Sequence, residues 1–269
     1  MPDIDIPPDI NAVVEEAWTR TKDVPGYLAE PEARFLGLLA ACTPATGAIV
    51  EIGSFKGRST VMLAKVASHY GLGQVIAIDP HNSPILLGIP SEPATSSYEV
   101  FLQSIQAAGV SEHVEPHRTY SADAARSWTK PIRVLWIDGD HTYEGAKKDF
   151  DAFLPHLVPG GVVAFHDALN AFPGPIRVFV EDVLGSDSFG AAGFVHSIAW
   201  AQFRPKDGHL FRESRARLAR RASRLIPLVA SGEELRGFAK RRFKFHRFRV
   251  PRSPVTPAQW VSLLKNAHP

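Results

Sequence analysis

The chain has 269 residues, 45% of them hydrophobic, which fits one α/β domain with extensions and a real core. No stretch approaches the roughly 18 consecutive apolar residues of a membrane span, and the opening MPDIDIPPDINAVVEEAW has neither the basic start nor the apolar run of a secretory signal. The formal charge of +2 conceals a split: residues 1–211 hold 15 Lys/Arg and 25 Asp/Glu, whereas residues 212–252 hold 14 Lys/Arg and 3 acids.

Residues 8–42 carry two helical patterns, with Pro31 in the first turn of the second. Cys42, the single cysteine, closes that apolar run; it cannot form an internal disulfide and reads as a buried thiol in a reducing, cytoplasmic protein. Strand-like runs then alternate with helical ones. Strands are expected at 48–52, 74–78, 114–117, 132–137 and 161–165, the last after a turn at Pro159-Gly160-Gly161. Helices are expected at 57–70, 96–108, 143–157 and 175–184. Two further runs, near 194–198 and 200–203, are too close for a crossover and predict an antiparallel edge hairpin. The alternation predicts a seven-stranded, mostly parallel α/β sheet with helices on both faces. The chain divides on this reading into an N-terminal helical segment (1–44), a central domain (45–207) and a basic helical extension (208–269).

In such sheets ligands bind beyond the carboxyl ends of the strands. Polar residues collect there in this sequence. Glu51 and then Gly53-Ser54-Phe55-Lys56-Gly57 follow the first strand, and Asp79-Pro80-His81 the second. Ser121-Ala122-Asp123 follow the third, Asp138-Gly139-Asp140-His141 the fourth, and His166-Asp167 the fifth. Gly53 permits a tight turn and close approach of a ligand to the backbone. Gly57 opens a helix whose N–H groups can receive a polar ligand end. No Gly-Lys-Ser/Thr closes the loop and the G-x-G-x-x-G spacing is absent, which excludes a P-loop and a dinucleotide fingerprint. Asp79 reads as an acceptor for two ribose hydroxyls or as a turn aspartate.

Glu51-Ile-Gly53-x-x-x-Gly57-x-Ser59, then Asp79, then Ser121-Ala122-Asp123, resembles the class I S-adenosylmethionine-dependent methyltransferases, whose fold is Rossmann-like. The stretch LWIDGDHTYEGAKKDF (135–150), continued by DAFLPHLVPGGVVAFHDA, is similar to metal-dependent small-molecule O-methyltransferases of the catechol type and, more closely, to those acting on macrolide sugars. The resemblance covers roughly residues 45–205. It implies that Gly53 and Ser54 face the methionine part of S-adenosylmethionine, with Glu51 supporting the loop. Ser59 would meet the carboxylate, Asp79 the ribose, and Ser121 and Ala122 the adenine. It also implies that Asp138 and Asp167 hold Mg²⁺ or another divalent cation. His166 departs from the pattern and is a ligand, a neighbour of the ligands or a structural residue. His141 stands where the catechol-type enzymes carry their lysine base.

The chemistry agrees with these residue types. A sulfonium is a strong methyl donor, so an enzyme must align it and supply an oxygen nucleophile. A cation lowers the pKa of a hydroxyl, carboxylates suit a hard ion such as Mg²⁺, and histidine titrates near the working pH. Alternatives stay open at each residue: Asp138 and Asp140 as helix caps, His141 as a structural imidazole. Tyr143 and Lys147 have the Tyr-x-x-x-Lys spacing of short-chain reductases, read here as coincidence because the nucleotide loop is missing. A lid is expected within residues 80–97, and residues 168–175 are expected to line the acceptor site. The basic segment 212–252 admits a nucleic-acid arm, a membrane-surface anchor, or packing and subunit contacts. The last is preferred, with a homodimer as first choice and nucleic acid disfavoured. The acceptor expected is a saccharide or other small molecule.

Overall fold

The structure, a computed structural model, describes residues 6–82 and 96–265. The expected lid lies for the most part outside the described residues. The helices are α1 (Ile10–Thr21), α2 (Glu30–Cys42), α3 (Arg58–His69), α4 (Ser97–Ala107), α5 (Ser121–Ala125), α6 (Tyr143–Phe153), α7 (Pro173–Val178), α8 (Arg212–Ala222), α9 (Ile226–Val229), α10 (Gly237–Arg249) and α11 (Pro257–Lys265). The strands are β1 (Ala48–Ile52), β2 (Val75–Ile78), β3 (Val114–His117), β4 (Ile132–Ile137), β5 (Leu157–Phe165), β6 (Phe189–Val195) and β7 (Ile198–Phe203).

They form one seven-stranded sheet in the order β3-β2-β1-β4-β5-β7-β6. The first five strands run parallel, and β7 and β6 pair antiparallel at one edge. The chain reverses its winding between β1 and β4, so a crevice opens there at the carboxyl rim. Two elements depart from the expected bounds. β5 begins at Leu157 rather than 161, because Gly160 at φ 87° lets the strand bulge past Pro159 instead of turning. β6 starts earlier than expected, and the hairpin turn falls at His196-Ser197, with His196 left-handed at φ 52°.

Both sheet faces are covered, which is why the parallel strands are apolar throughout. Ile49, Val134, Trp136 and Val162 face one layer, where Phe35, Leu36 and Leu39 of α2, Met62 of α3 and Trp260 of α11 pack. Val50, Leu135, Val163 and Phe165 face the other, with Phe150 of α6, Leu218 of α8, Val229 of α9 and Phe243 of α10. Each such buried side chain contributes about 1.5–3 kcal/mol. The N-terminal helices and the basic extension therefore share the core of the sheet. Arg215 anchors the extension: its buried guanidinium donates to the carbonyls of Leu184 (3.3 Å), Gly208 (2.6 Å) and Phe189. Cys42 is buried.

Candidate active site

The half of the rim beside β1 and β2 is organised by the glycine loop. Gly53 is left-handed (φ 85°), and a Cβ placed on it would lie 2.2 Å from the carbonyl oxygen of Asp138. Only glycine lets the ends of β1 and β4 approach this closely. Gly57 (φ 92°) opens α3. Glu51 is fully buried and accepts from the hydroxyls of Ser59 and Thr60. Burial pushes its carboxyl up to about 8, against those two hydrogen bonds and reinforced by the acids at 138 and 79. The Ser59 hydroxyl is thus turned to Glu51. Ser54 is buried and its Oγ has no partner among the described residues, an unmet hydroxyl beside the loop that a ligand could engage. Asp79 accepts from the Phe55 N–H at Oδ2 (2.8 Å) and from the His81 N–H at Oδ1 (2.6 Å). Both oxygens keep lone pairs for further donors.

The half beside β4 and β5 gathers acids and imidazoles. Asp138, His141 and Asp167 each offer a ligand atom within 4.8 Å of the others. His141 Nε2 lies 3.2 Å from Asp167 Oδ2 and 3.7 Å from Asp138 Oδ1. The segment after β5 covers them: the Phe172 ring sits 4.4 Å from that of His141, and the Gly174 N–H donates to the His141 carbonyl (2.9 Å). Asp167 is left-handed at φ 56°. With Phe55, His81 and His196 it completes the set of non-glycine residues with positive φ among the described residues. All four lie at this rim, as strained backbone often does at functional sites. Asp140 makes an Asx turn, accepting from the N–H of Thr142 (2.8 Å), and Thr142 is the residue that caps α6.

His166 lies behind the three, in contact with Asp138. Its Nδ1 is 3.0 Å from Asp138 Oδ1 and its Nε2 is 3.3 Å from Glu32 Oε2, so both ring nitrogens are engaged by carboxylates. Glu32, in the first turn of α2, also accepts from the Ala29 N–H (2.9 Å) and the Ser197 N–H (3.2 Å), and lies 2.8 Å from His196 Nδ1. Burial alone would raise the Glu32 carboxyl, but His166, Ser197 and Ala29 hold it well below the usual range. Burial disfavours charge on His166, yet Asp138 and Glu32 raise its pKa well above 6.5. His141 follows the same pattern: burial opposes its charge and is outweighed by Asp167 and Asp138. Asp138 is raised, chiefly by burial, while Asp167 is lowered because the imidazoles outweigh its burial. Asn170 donates to Asp167 Oδ1, and Arg247 Nη2 on α10 donates to Asn170 Oδ1 (3.3 Å). Arg can only donate, so it fixes which way that amide points.

Sequence reasoning did not single out Glu32, His196, Ser197 or Arg247, and took in Asn170 only as part of the segment 168–175; the glutamate at the third position of α2 carries only a capping signal. Ser121, at the head of α5, donates to Asp149, whose carboxyl burial raises to about 6; Ala122 is the next residue of the same turn. Tyr143 and Lys147 lie on the outer side of α6 and are occupied elsewhere. Lys147 Nζ contacts Asp151 (2.5 Å) and Asp182 (3.3 Å), and Arg177 stacks 3.8 Å over the Tyr143 ring. They form no reductase pair.

Comparison with known proteins agrees with this geometry. Residues 50–168 match the family model of a methyltransferase domain. Among solved structures, an O-methyltransferase from Bacillus cereus in complex with SAH is 22% identical, with TM-score 0.50, covering 74% of this chain and 94% of that one. The O-methyltransferase TomG from Streptomyces achromogenes in complex with SAM is 19% identical, with TM-score 0.50, covering 75% and 92%. Cofactor-bound Rv0187 from MTB is 19% identical, with TM-score 0.52, covering 76% and 100%. At these identities the structural likeness establishes the fold. The family match runs from β1 to just past β5, so residues 50–168 are similar to a methyltransferase domain, and the seven-stranded sheet as a whole has the Rossmann-like fold of these methyltransferases.

Proposed function

We propose that the chain is an S-adenosylmethionine-dependent methyltransferase that acts on a hydroxyl of a saccharide or other small molecule, assisted by a divalent cation, Mg²⁺ in the first instance. The observation that carries this is the convergence of Asp138, His141 and Asp167 within 4.8 Å of one another, at a rim where the glycine loop abuts the Asp138 carbonyl. The named O-methyltransferases of the same fold and the sequence resemblance to sugar O-methyltransferases support the oxygen acceptor.

The residues fit both groups. The left-handed glycine loop, the unmet Ser54 hydroxyl and the Asp79 carboxylate suit an amino-acid nucleoside, with Ser59, Ser121 and Ala122 as further neighbours. When bound, S-adenosylmethionine supplies an electrophilic methyl group. Asp138 and Asp167 offer hard oxygen donors to a cation, which would lower the pKa of an acceptor hydroxyl. His141 Nε2 takes the hydroxyl proton, and Asp167 at 3.2 Å stabilises the resulting imidazolium. His166 orients Asp138 from behind, locked in turn by Glu32. Phe172 packs against the His141 ring and helps to hold it in place. The reading includes a homodimer and does not include nucleic acid as acceptor.

The test is methyl transfer from labelled S-adenosylmethionine to saccharide and phenolic acceptors, in chelator and after addition of Mg²⁺. Turnover that appears only with the cation is expected. Equal turnover in chelator defeats the cation, and transfer only to nitrogen acceptors defeats the hydroxyl.

A further inference from the structure

The two faces of α10 are unlike. Inward, Phe243 is buried and Arg247 reaches Asn170. Outward, Phe238 is 79% exposed, Phe245 53% and Phe248 81%, and these are the exposed phenylalanines among the described residues. Phe238 and Phe245 are two turns apart on one line, with Phe248 beside it. Lys240, Arg241, Arg242, Lys244 and Arg249 are exposed around them. The helix sequence GFAKRRFKFHRFR contains no acid and no Asn, Gln, Ser or Thr.

Three rings in water on one helix call for a partner, and the cations decide its charge. A second copy docked on this face by a two-fold axis would set cations against cations. Single-stranded nucleic acid would need bare rings for bases to stack on, but the Arg249 guanidinium already lies 4.5 Å over the Phe245 ring. An anionic bilayer satisfies both features: the rings enter the boundary between headgroups and acyl chains while the cations stay at the level of the phosphates. We propose that the outer face of α10 seats this methyltransferase on an anionic lipid surface. The attachment is peripheral, since no helix among the described residues is long and apolar enough to cross a membrane. It is independent of the cation and acceptor reading above.

The test is sedimentation of the full chain with vesicles of phosphatidylcholine alone or mixed with phosphatidylglycerol. Affinity about tenfold or more higher for the anionic vesicles is expected, falling steeply with salt. Phe238→Ser with Phe248→Ser should weaken that binding about tenfold, and Phe248→Ser alone by less, with S-adenosylhomocysteine affinity unchanged in both as the sign of a folded chain. Equal binding to both vesicles, no binding to either, or full binding by the double variant would overturn the proposal. So would capture by a homopolymeric RNA in place of vesicles, or a dimer that the double variant converts to monomer.

Discussion

The two halves of the carboxyl rim hold their acids in different ways. Beside β1 and β2 the partners are near in sequence: Glu51 is bonded by residues 8 and 9 positions away, and Asp79 by residues 24 and 2 away. Beside β4 and β5 the decisive partner is remote: Glu32 lies 134 residues from His166 and 164 from His196. The first half is a local cradle whose acids are tied to hydroxyls and backbone N–H groups. The second is a tertiary network of alternating carboxylates and imidazoles, which places opposite charges in the interior and relies on each to hold the next.

This contrast can be broken from either side. The largest effect is expected at Glu32. Glu32→Ala leaves His166, His196 and Ser197 without their shared acceptor and should cost about 3–5 kcal/mol, as loss of one partner from a buried charge pair does. A urea titration checks this, and a loss below about 1 kcal/mol would show the network to be dispensable. His141→Gln should lower kcat about a hundredfold with cofactor affinity unchanged. Against burial, Asp167 and Asp138 raise the pKa of the imidazole in the cation-free protein; a cation on those carboxylates weakens that support, and wild-type activity should rise with pH through the resulting imidazole value. The variant should lose this limb, and a pH profile that keeps it would place the base elsewhere.

The smallest effect belongs to the local half. Glu51 keeps its proton in the folded chain up to about 8, whereas the unfolded carboxyl loses it near 4.5. The folded state therefore holds the extra proton between those values, and stability falls as pH rises through that window. Glu51→Gln has no proton to lose. Its melting temperature should overtake that of the wild type, relatively, by a few degrees between about pH 6 and about pH 9; parallel curves would show that Glu51 is ionised in the fold.

The same division explains what the sequence disclosed. Strand positions and the residues at each strand end were legible because apolar runs and turn residues are local signals. The extent of β5 was not, because Gly160 serves a bulge and a turn equally well. Asp138, His141 and Asp167 were legible as strand-end residues and are brought together. The neighbours that orient them were not: Glu32 reads as a helix cap, and Arg247 sits in a segment where one arginine among 14 Lys/Arg carries no mark. Their roles come from the packing of α2 and α10 on the rim, which no periodicity encodes. Ser59 and Ser121 illustrate the reverse, since each stands at its expected place but gives its hydroxyl to an acid of the chain itself.

The central claim is that a cation site and a nucleoside site lie side by side and are held separately. Calorimetric titration of Mn²⁺ and of S-adenosylhomocysteine into the wild type and into the Asp138→Asn/Asp167→Asn double variant tests it directly. The expected result is loss of cation binding in the variant with nucleoside affinity kept within about threefold. Equal cation binding by both proteins, or none by the wild type, would contradict it.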